Sequence, residues 1–339
     1  MFERLARKVK ERRGEEMRNV KIAVLTIAAI LLVVGLTVPF GEALAGSKPH
    51  LNFKSIDVDL TGVTLTQAFG INAEGDIVGR YQVGSVVHGF LLSEGTFTTI
   101  DYPGGISGTT SPQGISSEGV VVGLYTDHGT VAGGDALRTR AFLRDASGNF
   151  TAIDFPGAEN TFAIKVTPTG QVVGCYHHQN SDFAASGGGT MHGYVYENGT
   201  YESFSVPGTM HNGITRHGRI IVGVWFPTPN EFHAYKVEEG DYQLLDIPNS
   251  VSSDARDVSR SGETVGFFID SANKTHGFLL RKGDFTIIDF PGDDVVSTQA
   301  RGINPEGDIV GFYVSKDAAG KLHTHGFVAS RNKDEDEDK

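Results

Sequence analysis

The segment HGFLLSEGTFTTIDYPGG at residues 88–105 returns almost unchanged as HGFLLRKGDFTIIDFPGD at residues 276–293. Each copy contains two runs rich in β-branched and aromatic residues, separated by a two-residue turn such as Glu94-Gly95. Runs of this kind around a glycine-containing turn predict a β-hairpin. A hairpin that occurs twice in one chain indicates a fold built from repeated units.

The repeat extends through most of the chain. The segment FGINAEGDIVGRY at residues 69–81 returns as RGINPEGDIVGFY at residues 301–313, with four weaker copies between them. A tripeptide of the His-Gly-Phe type follows each copy, at intervals of 41 to 52 residues, beginning at His88, Arg140, His192, His233, His276 and His325. Each unit contains four short runs with strand character, which is typical of a propeller blade. The sequence therefore predicts an all-β, six-bladed β-propeller of four-stranded antiparallel blades over residues 50–330.

The two ends of the repeat region complement each other. The sixth unit stops after HGFVAS without a fourth strand, whereas NFKSIDVDL at residues 52–60 is a strand that belongs to no preceding unit. We therefore expect the N-terminal strand to complete the last blade. Such closure joins the two ends of the chain and removes exposed sheet edges.

The outer hairpin of each unit predicts a recurring cross-strand pair. In a hairpin with a two-residue loop, opposed residues have numbers that add to the same total as the two loop residues. The predicted His–Asp pairs are His88 with Asp101, His233 with Asp246, His276 with Asp289 and, through the closure, His325 with Asp57. In the second unit, Arg140 faces Asp154. Because the pair recurs in nearly every unit, it is interpreted as structural and not as a catalytic set.

These motifs together resemble those of the HAF extracellular repeats, a family named for a tripeptide that appears here as HGF, RAF, HGY, HAY, HGF and HGF. The resemblance covers about residues 50–330 and rests on GIN-x-x-G-x-I-V-G-x-Y, the tripeptide and I-D-x-P-G. It implies a secreted bacterial protein of repeated β-units. It brings no established activity, cofactor or catalytic residue to this chain.

The two termini lie outside the repeats. Residues 1–45 combine a charged start, an apolar stretch at residues 22–40 and the cleavage pattern Ala43-Leu44-Ala45. This arrangement predicts a signal peptide or, if it is not cleaved, an N-terminal membrane anchor. Either alternative exports the protein to the periplasm or the extracellular space. Residues 331–339 form an acidic tail, which we expect to be disordered.

Charge and cysteine content restrict the possible partners. The formal net charge is -12, and loss of eight basic and five acidic side chains with residues 1–45 makes it -15. An acidic surface repels phosphate backbones and anionic lipids, which argues against nucleic acid and leaves only the N-terminal segment for membrane contact. The single cysteine, Cys175, forms no internal disulfide and is predicted to be buried. We expect a monomer without a cofactor.

Residues that the units do not share are the candidates for function. The connections between second and third strands vary most, at residues 126–139, 177–191 and 314–324. Antiparallel topology places them on the same face as the connections between blades, such as residues 103–112 and 291–298. Because binding sites concentrate in loops on rigid scaffolds, we predict that this face binds the ligand.

Several individual residues are candidates for binding. Imidazole and carboxylate groups suit transition metals, and the metal candidates are Asp127, His128, His177 and His178. Exposed loop histidines that bind no metal are the ordinary alternative. Trp225 is either a stacking platform for a sugar or a tryptophan at the edge of the core. Lys165 and Asp257 replace the glycine present in the other four innermost strands and are predicted to project near the channel.

The sequence favours a secreted, non-catalytic binding or scaffold module for an extracellular or envelope glycan or protein. One alternative is a lyase or hydrolase that acts on an extracellular glycan or peptide at the channel mouth. That activity would require acid, base or metal groups converging from several blades in a deep polar pocket. A structural or self-associating surface protein is a further alternative.

Overall fold

The structure is a computed structural model that describes residues 51–131, 134–178, 191–228 and 230–331. These residues form 24 β-strands and no helix, and so they contain no helical segment suited to crossing a bilayer. The predicted signal peptide or anchor, residues 179–190 of one long connection and residues 332–339 of the acidic tail lie outside the described residues.

The strands form four four-stranded sheets and one eight-stranded sheet. A single parallel pairing of Leu65 with Thr324 joins the two halves of the eight-stranded sheet, and these halves are described separately, which gives units numbered as sheets I to VI. Sheet I contains β2 (Val63–Ile71), β3 (Ile77–Val83), β4 (Val86–Ser93) and β5 (Thr96–Ile100). Sheet II contains β6 (Ser111–Ile115), β7 (Val121–Val131), β8 (Gly134–Arg144) and β9 (Phe150–Ile153). Sheet III contains β10 (Asn160–Val166), β11 (Val172–His177), β12 (Met191–Glu197) and β13 (Thr200–Ser203). Sheet IV contains β14 (Thr209–Ile214), β15 (Ile220–Thr228), β16 (Glu231–Glu238) and β17 (Asp241–Leu244). Sheet V contains β18 (Ser250–Val258), β19 (Thr264–Asp270), β20 (Thr275–Arg281) and β21 (Asp284–Ile288). Sheet VI contains β22 (Val295–Ile303), β23 (Ile309–Lys316), β24 (Leu322–Arg331) and β1 (Leu51–Ile56).

Sheet VI joins the two ends of the repeat region. Strand β1 pairs antiparallel with β24, from Leu51 opposite Arg331 to Ile56 opposite Gly326. The predicted pairing of the N-terminal strand with the last repeat is therefore confirmed. It covers the outer edge of β24, which would otherwise present unpaired backbone groups to other chains.

The first strands of the six sheets lie next to one another in a closed cycle. Strand β2 contacts β6, and the contacts continue through β10, β14, β18 and β22 back to β2. Within each sheet, the strands follow in sequence order from this inner strand outward, and sheet VI ends with β1. The chain is thus an all-β protein of the β-propeller type, built from repeated four-stranded antiparallel sheets.

Apolar and aromatic side chains fill the spaces between successive sheets. The aromatic residue of the I-D-x-P motif stacks on an aromatic residue in the second strand of the next sheet. Tyr102 lies 3.7 Å from Tyr125, and Phe290 lies 3.7 Å from Tyr313, measured between ring centroids. The repeated motif therefore stabilises the contact between neighbouring units, because stacked rings bury large apolar areas.

The outer hairpins have the predicted register. In sheet I, Gly89 lies opposite Ile100, and the loop residues Glu94 and Gly95 have φ angles of 49° and 78°. Positive φ at both positions defines a type I′ turn, whose twist matches that of the flanking strands. The same pairs of positive φ angles occur at Asn198-Gly199, Glu239-Gly240 and Lys282-Gly283.

Each innermost strand contains a β-bulge at the same place in the repeat. The extra residues, called the bulge residues below, are Phe69, Gln113, Ile164, Asn212, Arg256 and Arg301. The residue that follows is glycine in four strands, because the neighbouring inner strand passes very close. A Cβ atom on Gly114 would lie 2.6 Å from the backbone oxygen of Ile164.

Two of the predicted loops are shorter than the sequence suggested. Residues 126–139 continue strands β7 and β8, which pair as far as Val131 opposite Gly134. In sheet VI, only a turn remains between Lys316 and Leu322. The mostly small and polar composition of these segments concealed strand pairing that depends on backbone hydrogen bonds rather than on apolar side chains.

Candidate functional site

The bulge residues converge where the six innermost strands meet. They line a small polar pocket together with Lys165 and Asp257, the two residues that replace glycine in the following position. The space between these side chains is narrow, with a volume of about 10 Å³. This pocket is called the channel site, and its lining is Phe69, Gln113, Ile164, Lys165, Asn212, Arg256, Asp257 and Arg301.

Lys165 and Asp257 lie at the channel, as their place in the repeat indicated, and they bind each other. The Lys165 Nζ atom donates to Asp257 Oδ2 at 2.5 Å, and only 13% and 2% of their side chains are exposed. Asp257 also accepts hydrogen bonds from the backbone amides of Val258 at 2.8 Å and Ile303 at 3.1 Å. The ion pair thus connects sheets III and V. Sheet IV, which lies between them, has Gly213 at the same position and so no side chain there.

The carboxylate of Asp254 is shared between two channel side chains. Asn212 Nδ2 donates to Asp254 Oδ1 at 2.8 Å and to the backbone oxygen of Ala255 at 2.9 Å. Arg256 Nη1 donates to Asp254 Oδ2 at 3.3 Å. Two buried atoms in this group, Asn212 Oδ1 and Arg256 Nε, have no hydrogen-bond partner among the described residues.

Three arginines lie close together around the channel site. Arg301 packs over the ring of Phe69 at 5.0 Å, and Arg80 packs over the same ring at 5.6 Å. Burial lowers the pKa of Arg301 well below its usual value, and the charges of Arg256 and Arg80 lower it further, whereas Asp254 opposes the shift. Burial also lowers the pKa of Arg80. The cations therefore repel one another in a poorly solvated setting.

The exposed large apolar side chains are concentrated on one face of the protein. This surface, called the loop face, carries the connections between second and third strands and those between sheets. Six of the seven such side chains in the described residues lie there, with 37% to 58% exposure: Leu60, Val86, Leu137, Val251, Val296 and Leu322. The seventh, Ile287, lies on an outermost strand. Apolar groups collected on one face indicate an interaction surface.

A second pocket, of about 140 Å³, lies between sheets V and VI on the loop face. Its lining residues are Lys274, Asp289, Phe290, Gly292, Val295, Ser297 and Thr298. Asp289 Oδ2 bonds with His276 Nδ1 at 2.7 Å, and Asp289 Oδ1 has no hydrogen-bond partner among the described residues. The pocket therefore has a polar lining, in which Lys274, Ser297 and Thr298 supply an ammonium group and two hydroxyls.

Three of the four predicted His–Asp pairs are formed. The distances from His Nδ1 to the Asp carboxylate are 2.8 Å for His88–Asp101, 2.7 Å for His276–Asp289 and 3.0 Å for His325–Asp57. Arg140 Nη1 bonds with Asp154 at 2.8 Å, also as predicted.

The predicted pair of His233 with Asp246 is wrong. His233 Nε2 bonds instead with Glu231 Oε1 at 2.7 Å. Glu231 and His233 lie two residues apart on β16, so their side chains project from the same face of the strand. A carboxylate on the same strand thus replaces one across the hairpin.

Trp225 occupies a repeated structural position. Its ring centroid lies 6.3 Å from that of His233, as Tyr81 lies 5.2 Å from His88 and Phe268 lies 5.2 Å from His276. The tryptophan is half-buried. This placement favours the core-edge alternative over the sugar platform.

The four metal candidates do not converge. Asp127 forms an ion pair with Arg140 at 3.3 Å, and His178 Nδ1 bonds with the backbone oxygen of Gly157 at 3.3 Å. His177 is buried near Cys175, and His128 lies within β7 opposite Leu137. Within the described ranges, no three His, Cys, Asp or Glu side chains are grouped to hold a metal ion.

Asn212, Arg256 and Arg301 are channel residues that sequence reasoning missed. They occupy one position in the aligned repeats, the bulge position, which precedes glycine in four of the six innermost strands. The sequence did contain a signal for this position, because the six repeats place five different residue types there while the adjoining positions vary less. Cys175 is buried as predicted, and burial raises the pKa of its thiol.

Comparison with known proteins supports the fold. No family model matches the chain, and no curated protein matches it. A protein of unknown function from Dyadobacter fermentans superposes with a TM-score of 0.51 at 10% identity, covering 83% of this chain and 99% of its own. At this identity, the likeness concerns the fold alone.

Two further solved structures resemble the chain more distantly. A gluconolactonase from Xanthomonas campestris has a TM-score of 0.44 at 13% identity, with 84% of this chain and 96% of that chain covered. The β-propeller domain of the Trilobed protease from Pyrococcus furiosus has a TM-score of 0.41 at 9% identity, with 78% and 95% covered. Likenesses of this size carry no argument about function.

Proposed function

We propose that the protein is a secreted, non-catalytic binding module of the HAF repeat type, in which the six sheets are the six blades of a propeller. In this proposal, residues 1–45 direct export, and the exported monomer binds an extracellular or envelope glycan or protein through the loop face. No cofactor takes part.

The distribution of exposed apolar side chains carries this proposal. Leu322 and Val251 are 58% and 54% exposed at the loop-face ends of their strands, and four further large apolar residues lie on the same face. The opposite face presents short turns, among them the type I′ turns of the outer hairpins. Sites for macromolecular partners combine apolar area with a polar rim, and the pocket beside Asp289 supplies polar groups on that face.

The alternative of a hydrolase or lyase at the channel mouth has less support. The channel site is narrow, and its Lys165 and Asp257 bind each other. A hydrolase would need space for a substrate bond between an acid and a base.

Binding to immobilised ligands tests the proposal. The full chain, exported by its own N-terminal segment and purified, should give saturable binding to a member of a glycan array or to an envelope protein fraction. Leu322→Asn and Val251→Asn should weaken this binding about tenfold each, or ~1.4 kcal/mol, because they remove apolar contact at the interface.

Lys282→Asn is the control, because Lys282 is exposed in the type I′ turn of sheet V, on the face opposite the loop face. It should leave the affinity unchanged. Equal losses in all three variants, or turnover of the bound ligand, would contradict the proposal.

A further inference from the structure

Arg256 has a buried hydrogen-bond donor that the surrounding described side chains do not satisfy. A guanidinium carries five N–H donors. Arg256 is 7% exposed, its Nη1 bonds with Asp254 at 3.3 Å, and its Nε has no partner among the described residues. Arg301 Nη1 donates a long hydrogen bond to Gln299 Oε1 at 3.4 Å. An unpartnered N–H in a buried guanidinium points to a missing acceptor.

The carboxylates in the channel are already engaged. Asp257 accepts from Lys165 and from two backbone amides, and Asp254 accepts from Asn212 and Arg256. Positive charge therefore exceeds negative charge at the channel, although the whole chain carries a net charge of -12. An excess of positive charge in a poorly solvated site is unfavourable, so a further anion would stabilise the group.

The size of the site restricts the ligand. The space between the lining side chains is narrow, which favours a small monatomic anion over phosphate or sulfate. Phe69 and Ile164 supply the apolar part of the lining, while Gln113 and Asn212 supply amides. The amide oxygen of Asn212 is an acceptor without a partner, so it would face away from an anion or bind a water beside it.

We propose that the channel site binds one halide-sized monovalent anion, such as chloride, between the guanidinium groups of Arg256 and Arg301. The anion accepts the free N–H of Arg256 and N–H groups of Arg301, and it offsets the repulsion between the two cations. Its attraction is strong because the surrounding protein screens charge less than water does. This role is independent of ligand binding at the loop face.

Anomalous diffraction from crystals of the full chain grown in sodium bromide tests the site directly. We expect one bromide peak within hydrogen-bonding distance of Arg256 Nε and of the Arg301 guanidinium. Density for a water without an anomalous signal would overturn the proposal.

Thermal unfolding gives the second readout. Above the dissociation constant, each tenfold rise in chloride at constant ionic strength, balanced with gluconate, should raise the midpoint by about 2–4 °C. Arg301→Gln should abolish the chloride dependence. Arg219→Gln should retain it, because Arg219 is 67% exposed and pairs with Glu238 on the surface.

A third variant keeps the test decisive if Arg301→Gln does not fold. Gln113→Glu places a carboxylate in the lining with both arginines retained, so it should remove the chloride dependence and the bromide peak. Chloride dependence that persists unchanged in Gln113→Glu, or that disappears in Arg219→Gln, would contradict binding at the channel.

Discussion

The outer hairpins and the innermost strands of the sheets follow opposite rules. In the outer hairpins, the cation–carboxylate pair recurs, as in His88 with Asp101 and His276 with Asp289. In the innermost strands, the bulge position changes from Phe69 to Gln113 and, in sheet VI, to Arg301. The comparison teaches that copied residues build the unit, whereas the residues that differ give the channel its own chemistry.

The physical reason lies in the surroundings of each region. The outermost strand of each sheet pairs with one strand only. An ion pair across the outer hairpin therefore helps to hold this strand in place. At the axis, backbone approaches backbone so closely that most inner strands need glycine after the bulge. The bulge position varies most there, with five residue types in six strands. The predictions below test this division, from the largest expected effect to the smallest.

The ion pair at the axis should give the largest effect. Lys165→Met leaves Asp257 as a buried, unpaired charge and should lower the free energy of unfolding by ~3–5 kcal/mol in denaturant titrations. The double variant Lys165→Gly with Asp257→Gly restores the glycine of the other sheets and should recover most of that loss. A double variant less stable than Lys165→Met would contradict the view that the pair replaces two glycines.

The glycine that follows the bulge should be nearly as sensitive. Gly114→Ala places a Cβ 2.6 Å from the backbone oxygen of Ile164, so two inner strands must separate. We expect a loss of ~3 kcal/mol in the free energy of unfolding. Gly104→Ala is the control, since the nearest atoms to its added Cβ belong to the Tyr102 side chain. Equal losses of stability in Gly114→Ala and Gly104→Ala would show that the close approach of inner strands is not the reason for glycine at this position.

A buried histidine in sheet IV should make the stability depend on pH. Burial lowers the pKa of His211 to about 3, and the neutral ring bonds with the Tyr235 hydroxyl. The folded pKa of His211 lies below the unfolded value near 6.5. The stability that the neutral, buried imidazole contributes is therefore present above pH 6.5 and is lost as the pH falls towards 3. The loss at pH 5 should be ~2 kcal/mol.

Variants at two histidines isolate this effect in urea titrations at pH 7.5 and 5. His211→Gln should reduce the pH dependence, whereas His217→Gln should preserve it, because His217 is exposed. An unchanged pH dependence in His211→Gln would place its origin elsewhere.

The copied pair at the closure should give the smallest effect. His325 and Asp57 are 30% and 44% exposed, so water screens their interaction. Asp57→Ala should lower the free energy of unfolding by less than about 1 kcal/mol. A loss above 2 kcal/mol, measured by denaturant titration, would show that the copied pair has a larger structural role than its exposure indicates.

The sequence predicted those features that depend on local register. The turn at Glu94-Gly95 determines which residues oppose each other, so the pair of His88 and Asp101 could be deduced before the structure. The strand before the first repeat and the missing strand after the last one predicted closure through Asp57 and His325. In each case, the necessary distances follow from strand geometry.

Contacts between sheets could not be predicted in the same way. Lys165 and Asp257 were placed near the channel because both replace a glycine, but their ion pair depends on how sheets III and V face each other. Arg256 and Arg301 were missed because variation at one repeat position does not reveal whether the side chains there point towards the axis. The pair of His233 with Asp246 failed because Glu231 competes for the same imidazole.

The central claim is that residues shared by the repeats stabilise the fold, whereas residues that differ between them bind the ligand. The affinity of the loop-face ligand, compared between two variants of sheet VI, tests this claim most directly. Leu322→Asn alters a residue that the repeats do not share, and Asp57→Ala alters a copied pair in the same sheet. We expect Leu322→Asn to weaken binding about tenfold at an unchanged thermal midpoint, and Asp57→Ala to keep full affinity at a slightly lower midpoint. Full affinity in Leu322→Asn together with lost binding in a folded Asp57→Ala variant would contradict the assignment of binding to the residues that the repeats do not share.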